Sequence, residues 1–265
     1  MDRDRIIEIE HAWAAAEREI VEMVRRLDPS WGSVTFAVAG GWAVLAGSGL
    51  YTNCLLGGGL TVDVAPADLD QLEHHAKAVG VPAALQISEA TTPGLEAQVV
   101  ERGYVIDAVA HAVLHDLRRV PRAAPSMSFE LIDEARLGRW QAATAAGWGH
   151  DTPAARAASE VYSAAALAVD RPGLMLARSA ADGRVLGAAT LRIGDGFATL
   201  GGMSTLPAER STGVQAALIS HRLGLARDAG CRHAVSVATA GSGSLRNLRR
   251  LGCEPSHTKT LWTKG

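Results

Sequence analysis

The segment from Ser204 to Gly230 contains the residues best suited to bind an anion. An apolar strand leads into Pro207, a short polar loop with Arg210 follows, and a helix is predicted to begin near Gly213. The first backbone amides of a helix have no acceptor within the helix and lie at the positive end of its dipole, so they bind phosphate groups. Glycine allows a ligand to approach the backbone closely. A plain connecting turn is the alternative for this pattern.

Candidates for acid–base chemistry are few. His150 and Asp151 lie in the segment AGWGHDT at 146–152, between two predicted helices. The same residues fit an ordinary helix start in which Asp151 or Thr152 is the cap. Glu209 is a poor candidate base because it belongs to the loop that would face the phosphates.

The histidines and cysteines do not occur at the spacing of a metal site. The three cysteines are far apart in the sequence, and adjacent or strand-borne histidines point to different faces. The histidines concerned are His74, His75, His111 and His115. We expect no metal, no disulfide and buried free thiols. The tryptophans Trp42 and Trp148 either line a substrate pocket or fill the core.

The composition is that of an ordinary globular protein. The chain has 265 residues, of which 48% are hydrophobic and 20% are charged, and its formal net charge is −2. This length favours two compact units. Without a basic excess we expect no binding to nucleic acid, and without a stretch of about 20 apolar residues we expect no membrane span. The beginning of the sequence has no signal-peptide pattern, so we expect a cytoplasmic protein.

The first part of the chain is predicted to form a helix, then several strands, and then alternating helices and strands. Apolar residues recur every three or four positions from Ile6 to Leu27, which predicts a helix that packs along one stripe. A homodimeric coiled coil is the alternative use of that stripe. Strands are predicted within 34–62, and helices and strands alternate over 67–117.

A boundary between two domains is predicted in the basic, proline-containing segment 118–128, which gives domains at 1–122 and 123–265. The second domain begins with a strand at 129–132 and two helices within 134–166. Three antiparallel strands follow, joined by turns with Asp-Gly pairs at 182–183 and 195–196. A helix at about 213–229, a strand, a short helix and terminal strands complete the order.

With these elements in place, the second domain resembles the GNAT family of acyltransferases over roughly residues 127–265. The family's loop motif, (Q/R)-x-x-G-x-(G/A), is matched from Arg210 to Gln215, where Gln215 replaces the usual glycine or alanine. The resemblance implies that the loop binds the pyrophosphate of an acyl-CoA, that the preceding strand pairs with its pantetheine arm, and that Asn247 contacts it from the closing helix. The implied residues are Met203, Ser204, Thr205, Arg210, Ser211, Thr212, Gly213, Val214, Gln215 and Asn247.

The first domain resembles the same family in a degenerate form. Residues 99–107 parallel 248–256, and residues 82–88 parallel 233–239. At the place of the phosphate loop, however, residues 62–73 contain no glycine and four acidic side chains, which would repel a pyrophosphate. The resemblance implies an α/β (α+β) fold of two tandem GNAT-like domains, each a mixed, mainly antiparallel sheet flanked by helices, with one cofactor site.

The implied activity is transfer of an acyl group, with acetyl-CoA or another acyl-CoA as co-substrate, to the amine of a small molecule. Many members of the family have a tyrosine as general acid where this sequence has Leu248, so either another donor serves, such as Ser244 or a water, or the chemistry does not need one. His150 and Asp151 are the weak candidates for the base. The alternatives are a non-catalytic acyl-CoA-binding or regulatory module and a purely structural tandem domain.

Overall fold

The computed structural model describes residues 2–121, 126–169, 172–194 and 196–265. It divides into two compact units, one of Met1–Ala112 with Ser256–Gly265 and one of Val113–Pro255. The boundary predicted between residues 122 and 123 lies outside the described residues, as does Asp195 of the second predicted turn.

The helices and strands follow the predicted order with shifts of a few residues at their ends. They are α1 Arg3–Leu27, β1 Val34–Val38, β2 Gly41–Leu45, β3 Asn53–Leu56, α2 Pro66–Val79, β4 Ala83–Ser88, α3 Leu95–Glu101, β5 Val105–Asp116, β6 Met127–Leu131, α4 Leu137–Trp148, α5 Pro153–Val169, β7 Pro172–Ser179, β8 Val185–Ile193, β9 Phe197–Thr205, α6 Val214–Asp228, β10 His233–Thr239, α7 Gly243–Arg250 and β11 Glu254–Lys264.

The first unit contains the sheet order β1-β2-β3-β4-β11. Strands β1, β2 and β3 are antiparallel neighbours, β3 and β4 are parallel, and β11 runs antiparallel to β4 from Lys259 opposite Ser88 to Lys264 opposite Ala83. The final strand therefore belongs mostly to the first unit, although its residues fall within the second predicted domain. Nothing local in the residues of β11 specifies which strand it pairs with.

Helix α1 packs its apolar stripe within its own unit. Ile6, Ile9, Ile20 and Val24 are buried, and the helix packs against β1, β2 and β3. Asp4 in the first turn and two arginines in the last complement the helix dipole. The stripe that suggested a coiled coil is thus covered by the unit's own sheet.

A buried polar cluster joins α1 to β11. The Glu10 carboxylate accepts from His257 Nε2 at 2.7 Å and pairs with Lys259 Nζ at 3.0 Å. Nδ1 of His257 lies 2.8 Å from the Ser256 hydroxyl, and all four residues are buried. Burial alone would raise the pKa of the Glu10 carboxyl, but Lys259 and His257 together hold that pKa below its usual value of 4.5.

The second unit contains the sheet order β10-β9-β8-β7-β6, antiparallel except for the β9–β10 pair. Alternate residues of β7 contribute to two different core clusters. Leu174 and Leu176 pack with Trp140 of α4, whereas Met175 and Ala177 pack with Leu218 of α6. Because successive side chains of a strand point to opposite faces, α4 and α6 cover opposite faces of this sheet.

We predict that Glu10→Gln lowers the free energy of unfolding at pH 7 by about 3–5 kcal/mol, because it leaves Lys259 buried without its carboxylate. The pKa of Glu10 in the folded state lies below its usual value of 4.5. The stabilisation from its ion pair with Lys259 is therefore present at neutral pH and is lost as the pH falls through the folded-state pKa. Denaturant unfolding at a series of pH values measures both effects.

The control is Glu8→Gln on the same helix. Glu8 is exposed and pairs with Arg5 at 2.8 Å, so its replacement should change the stability by less than about 1 kcal/mol. Equal effects of the two substitutions at pH 7 would contradict this account of the cluster.

Candidate functional site

A cleft of about 420 Å³ in the second unit brings together the residues that the motif singled out. Every residue implied to bind the cofactor except Thr212 lines it, and Ser244 lines it as well. The complete lining is Gly147, Trp148, Met203, Ser204, Thr205, Glu209, Arg210, Ser211, Gly213, Val214, Gln215, Ala216, Gly243, Ser244, Asn247 and Arg250. The cleft therefore lies among the ends of α4 and β9, the start of α6 and helix α7.

One wall of the cleft is the end of β9, where this strand diverges from β10. The parallel pairing runs only from Phe197 opposite His233 to Thr199 opposite Val235. Farther along β9, its register against β8 shifts, so that Gly201 faces Thr190 and Ser204 faces Ala188. A β-bulge of this kind bends the strand and ends regular pairing. The backbone of residues 203–205 therefore leaves the edge of β10 and borders the cleft.

Glycine is required at the bend because of Thr190. A Cβ atom at Gly201 would lie 2.8 Å from Thr190 Oγ1, and one at Gly202 would lie 2.9 Å from Thr190 Cγ2. Gly202 also has a φ of 38°. A side chain at either position would therefore collide with Thr190, so β9 or the Thr190 side chain would have to move.

The floor of the cleft is the loop that connects β9 to α6. After a 3-10 turn at Pro207–Glu209, Ser211 and Gly213 have φ values of 68° and 89°. Gly213 is the N-cap of α6, and no side chain caps this helix. The amides of the first helical turn have no acceptor within the helix, and a Cβ at Gly213 would meet nothing within 4 Å. The loop thus offers backbone donors and open space to an anion.

The charged side chains of the loop are tied to neighbouring elements. Arg210 Nη2 donates to the carbonyl of Gly147 at 3.0 Å, which fixes the loop to the last turn of α4. Glu209 pairs with Arg184, which precedes β8. The negative charge of Glu209 is therefore balanced next to the anion-binding loop, and a base role for this carboxylate would require it to give up its partner.

The unusual Gln215 is held by α7. Its Nε2 donates to Ser244 Oγ at 3.3 Å, and its Oε1 accepts from Asn247 Nδ2. Arg250 Nη1 donates in turn to Asn247 Oδ1 at 3.3 Å. The long side chain that replaces the small residue of the motif thus extends toward α7 and connects the two helices that border the cleft.

Trp148 also lines the cleft. Its indole Nε1 donates to the carbonyl of Met203 at 3.1 Å, so this carbonyl is bonded by the protein itself. Beside it, Ser204 is buried, and its hydroxyl has no hydrogen-bond partner in the described part of the chain. Of the two tryptophans considered, Trp148 lines the cleft, whereas Trp42 packs under the Arg18 guanidinium at 4.3 Å in the first unit.

Comparison with known proteins identifies this region. Residues 137–252 match the family model described as "Acetyltransferase (GNAT) family". The second unit carries a GNAT acetyltransferase domain. Among curated proteins, none matches the sequence.

Solved structures extend the GNAT fold to the whole chain. A GCN5-related N-acetyltransferase from Kribbella flavida shares 20% identity and a TM-score of 0.67 over 95% of each chain. An acetyltransferase from the GNAT family from Colwellia psychrerythraea shares 14% identity and a TM-score of 0.56 over 94% of each chain. A tandem GNAT protein from the clavulanic acid biosynthesis pathway, solved without AcCoA, shares 16% identity and a TM-score of 0.56 over 82% of this chain and 75% of its own. The predicted fold of two tandem GNAT-like units is confirmed.

The predicted acid–base candidates lie in two different places around the GNAT domain's cleft. Ser244 lines the cleft itself, whereas His150 and Asp151 line a second groove of about 560 Å³ along α4 and α5. Thr152, and not Asp151, caps α5, because its Oγ1 accepts from the amide of Ala155 at 3.2 Å. Leu248, at the position of the family's tyrosine, is buried in the core.

In the first unit, residues of the unit itself occupy the position that corresponds to this cleft. The loops that follow its parallel strands β3 and β4 are joined by a 2.7 Å hydrogen bond from the Thr92 amide to the Gly59 carbonyl. Arg3 Nη2 donates to the carbonyls of Leu60 and Ala90 at 2.6 and 3.0 Å, one in each loop. The gap between the strand ends is therefore bridged by the chain itself.

The helix that follows this gap is also satisfied internally. The Asp68 carboxylate accepts from the Ala65 amide at 2.8 Å, and Arg102 bonds Asp70 and the Pro66 carbonyl beside it. A protein carboxylate thus occupies the N-terminus of α2, where the GNAT domain leaves the start of α6 uncapped. Both features support the interpretation of the first unit as degenerate.

The described residues contain neither a helix suited to span a membrane nor a cluster suited to hold a metal. None of the helices within 2–121, 126–169, 172–194 and 196–265 is long and apolar enough to span a membrane. The same ranges contain no cluster of three histidine, cysteine or acidic side chains able to hold a metal. His115, one of the histidines considered above, is buried with Nε2 3.1 Å from the Leu251 carbonyl, and burial lowers its pKa.

Three residues that support the site were not predicted from the sequence: Gly147, which lines the cleft, and Arg184 and Arg222, which do not. Arg184 and Gly147 gave no local signal, since their partners are distant in sequence. Arg222 gave one: it lies four residues after Leu218 and four before Ala226, both of them buried, so a cation occupies the apolar stripe of α6.

We predict that Gly147→Ala destabilises the GNAT domain. A Cβ at this position would lie 2.7 Å from Ser204 Cβ and 2.8 Å from Ser204 Oγ, so α4 must move away from β9, at a cost of about 1–3 kcal/mol. The matched change on the same helix is Gly138→Ala, which meets nothing within 4 Å and should be neutral or stabilising by up to about 1 kcal/mol. Thermal unfolding of the two variants would contradict the account if they behaved alike.

Proposed function

We propose that the protein is an acyl-CoA-dependent N-acyltransferase, with acetyl-CoA as the acyl donor and the amine of a small molecule as the acceptor. One observation supports this proposal most strongly: the strand end freed from its neighbour and the uncapped start of α6 border the same cleft. An extended amide-containing chain needs the first feature, and a pyrophosphate needs the second.

In this proposal the two parts of the donor bind to backbone groups. The pantetheine arm pairs with the edge of Met203, Ser204 and Thr205 that has left β10, and the pyrophosphate accepts hydrogen bonds from the amides that follow Arg210. Asn247 and Ser244 border the donor from α7, where Gln215 orients both side chains. Because most of these contacts involve the backbone, they depend on the conformation of the loop more than on its side chains.

We assign the acceptor to the groove along α4 and α5. Asp151, Glu160 and Arg156 line it, and the two carboxylates outnumber the single guanidinium, which favours an ammonium group. The rings of His150 in the groove and Trp148 in the cleft are 5.5 Å apart, so the groove adjoins the cleft at this pair. The excess of carboxylates in the groove therefore supports an amine as the acceptor. The wall that the groove shares with the cleft gives the acceptor a route to the thioester.

The reaction forms a bond between the amine nitrogen and the thioester carbonyl carbon and breaks the carbon–sulfur bond. The nitrogen must lose a proton, which in this proposal His150 accepts directly or through water. The departing thiolate must gain one. Ser244 accepts a hydrogen bond from Gln215 Nε2, which leaves its own hydroxyl hydrogen free to donate to the sulfur.

A non-catalytic acyl-CoA-binding module is the second candidate. Leu248, at the position of the family's tyrosine, has an aliphatic side chain that carries no proton donor, and it packs in the core. Among the described residues that line the cleft there is no tyrosine, histidine or cysteine. This module would hold acyl-CoA with the same backbone groups but would not release the thiol.

Turnover separates the two candidates. With acetyl-CoA and a panel of small primary amines, we expect thiol release that depends on the amine and falls by about 10²–10⁴-fold in His150→Ala. Asp151→Asn, which removes one acidic group of the groove but no proton acceptor in this scheme, should raise KM for the amine more than it lowers kcat. Tight binding of acetyl-CoA without thiol release from any amine would favour the binding module.

The phosphate loop is tested by Gly213→Glu. We predict a loss of CoA affinity of about 100-fold or more by calorimetry, because a carboxylate at the helix start replaces open space with negative charge, and because the φ of 89° disfavours any side chain with a Cβ. Gly213→Asn is the control, since asparagine tolerates positive φ and carries no charge. An unchanged affinity in Gly213→Glu would contradict the assignment of the loop.

A further inference from the structure

Arg222 is a buried cation without a carboxylate partner in the described part of the chain. Its exposed fraction is 1%, and it lies in the middle of α6 among core side chains. Burial lowers the pKa of its guanidinium to about 9, so it remains charged at neutral pH. An isolated buried charge is destabilising unless polar groups surround it, which raises the question of what this one contacts.

Within the described part of the chain, the side-chain hydrogen bonds of Arg222 lead to the bend in β9 or back to its own helix. Nη1 donates to the carbonyls of Thr190 and Gly201 at 2.8 and 2.9 Å. Nη2 donates to the sulfur of Met203 at 3.1 Å, and Nε donates to the Leu218 carbonyl at 3.2 Å. One guanidinium therefore connects α6 to both strands at the β-bulge.

The bulge explains why these carbonyls need an external donor. Between the pairs Thr190–Gly201 and Ala188–Ser204, β9 has one residue more than β8, so the regular ladder is interrupted. Thr190 and Gly201 form the pair at one end of the interruption, and Arg222 bonds the carbonyl of each. A planar guanidinium can reach several acceptors at once, which an ammonium or an apolar side chain cannot.

Arg222 also connects the two parts of the cleft. The helix that carries it begins at the phosphate loop, and the strand that it bonds carries the free backbone edge at residues 203–205. We propose that Arg222 is a positioning residue that holds the pantetheine-facing edge of β9 in place relative to the phosphate loop. This inference rests on the proposed function, because it concerns the same acyl-CoA site.

Two ligands distinguish binding at the strand edge from binding at the phosphate loop. CoA contains both pantetheine and the nucleotide, whereas 3′-phospho-ADP contains the nucleotide alone. In Arg222→Met we expect the affinity for CoA to fall by about tenfold or more, since the pairing of the strand edge is lost, and the affinity for 3′-phospho-ADP to stay within about twofold. Arg222→Lys keeps one hydrogen-bond donor, so its affinity for CoA should fall less than that of Arg222→Met.

The control is Arg227→Met on the same helix. Arg227 is exposed, pairs with Asp228 at 2.8 Å, and should leave both affinities unchanged. Circular dichroism and thermal unfolding identify a temperature at which all variants are folded, and the affinities are measured there. If Arg222→Met does not fold, Arg222→Lys decides the question, because a selective loss of CoA affinity supports the proposal and an equal loss of both affinities overturns it.

A merely structural role for Arg222 predicts a lower melting temperature with the ratio of the two affinities unchanged, and this result would also overturn the proposal. Failure of the wild-type protein to bind either ligand would refute the proposed function, and with it this inference. If the wild type binds both ligands and Arg222→Met retains full CoA affinity, only the role of Arg222 is refuted.

Discussion

A strand that leaves its sheet exposes backbone groups that must find other partners, and this constraint governs the second unit. The end of β9 separates from β10 after Thr199 because Gly201 and Gly202 allow a bulge above Thr190. The protein satisfies part of the exposed backbone with Trp148 and Arg222. The rest borders the cleft at the uncapped start of α6, and the proposed acyl-CoA site depends on this arrangement.

The two units show that one fold can keep or lose such a site through a few side chains. In the first unit, Arg3 bonds the loops after both parallel strands, and Asp68 supplies the negative charge at the start of α2. In the second unit, the equivalent helix start has Gly213 and no cap. The first unit thus satisfies internally the groups that the second leaves available, which explains why one chain would carry a single site.

Much of the fold was predictable because it depends on local patterns. The apolar stripe of α1, the Asp-Gly turn before β8 and the motif from Arg210 to Gln215 each specify their structure through neighbouring residues. Pairings between distant residues were not predictable: the residues of β11 do not indicate that the strand pairs with β4, and Gln215 does not indicate that it bonds Ser244 and Asn247. The buried hydrogen bonds of Arg222 were predictable in principle, since a charge on an apolar helical stripe must have buried acceptors.

The proposed site for a single acyl-CoA lies in the second unit, between the end of β9 and the start of α6. Amide hydrogen exchange with and without CoA reports on this site, because both of its parts consist of backbone amides. We expect CoA to slow exchange across residues 203–216 and to leave residues 56–68 of the first unit unchanged. Protection at 56–68, or no protection at 203–216 under saturating CoA, would contradict this account.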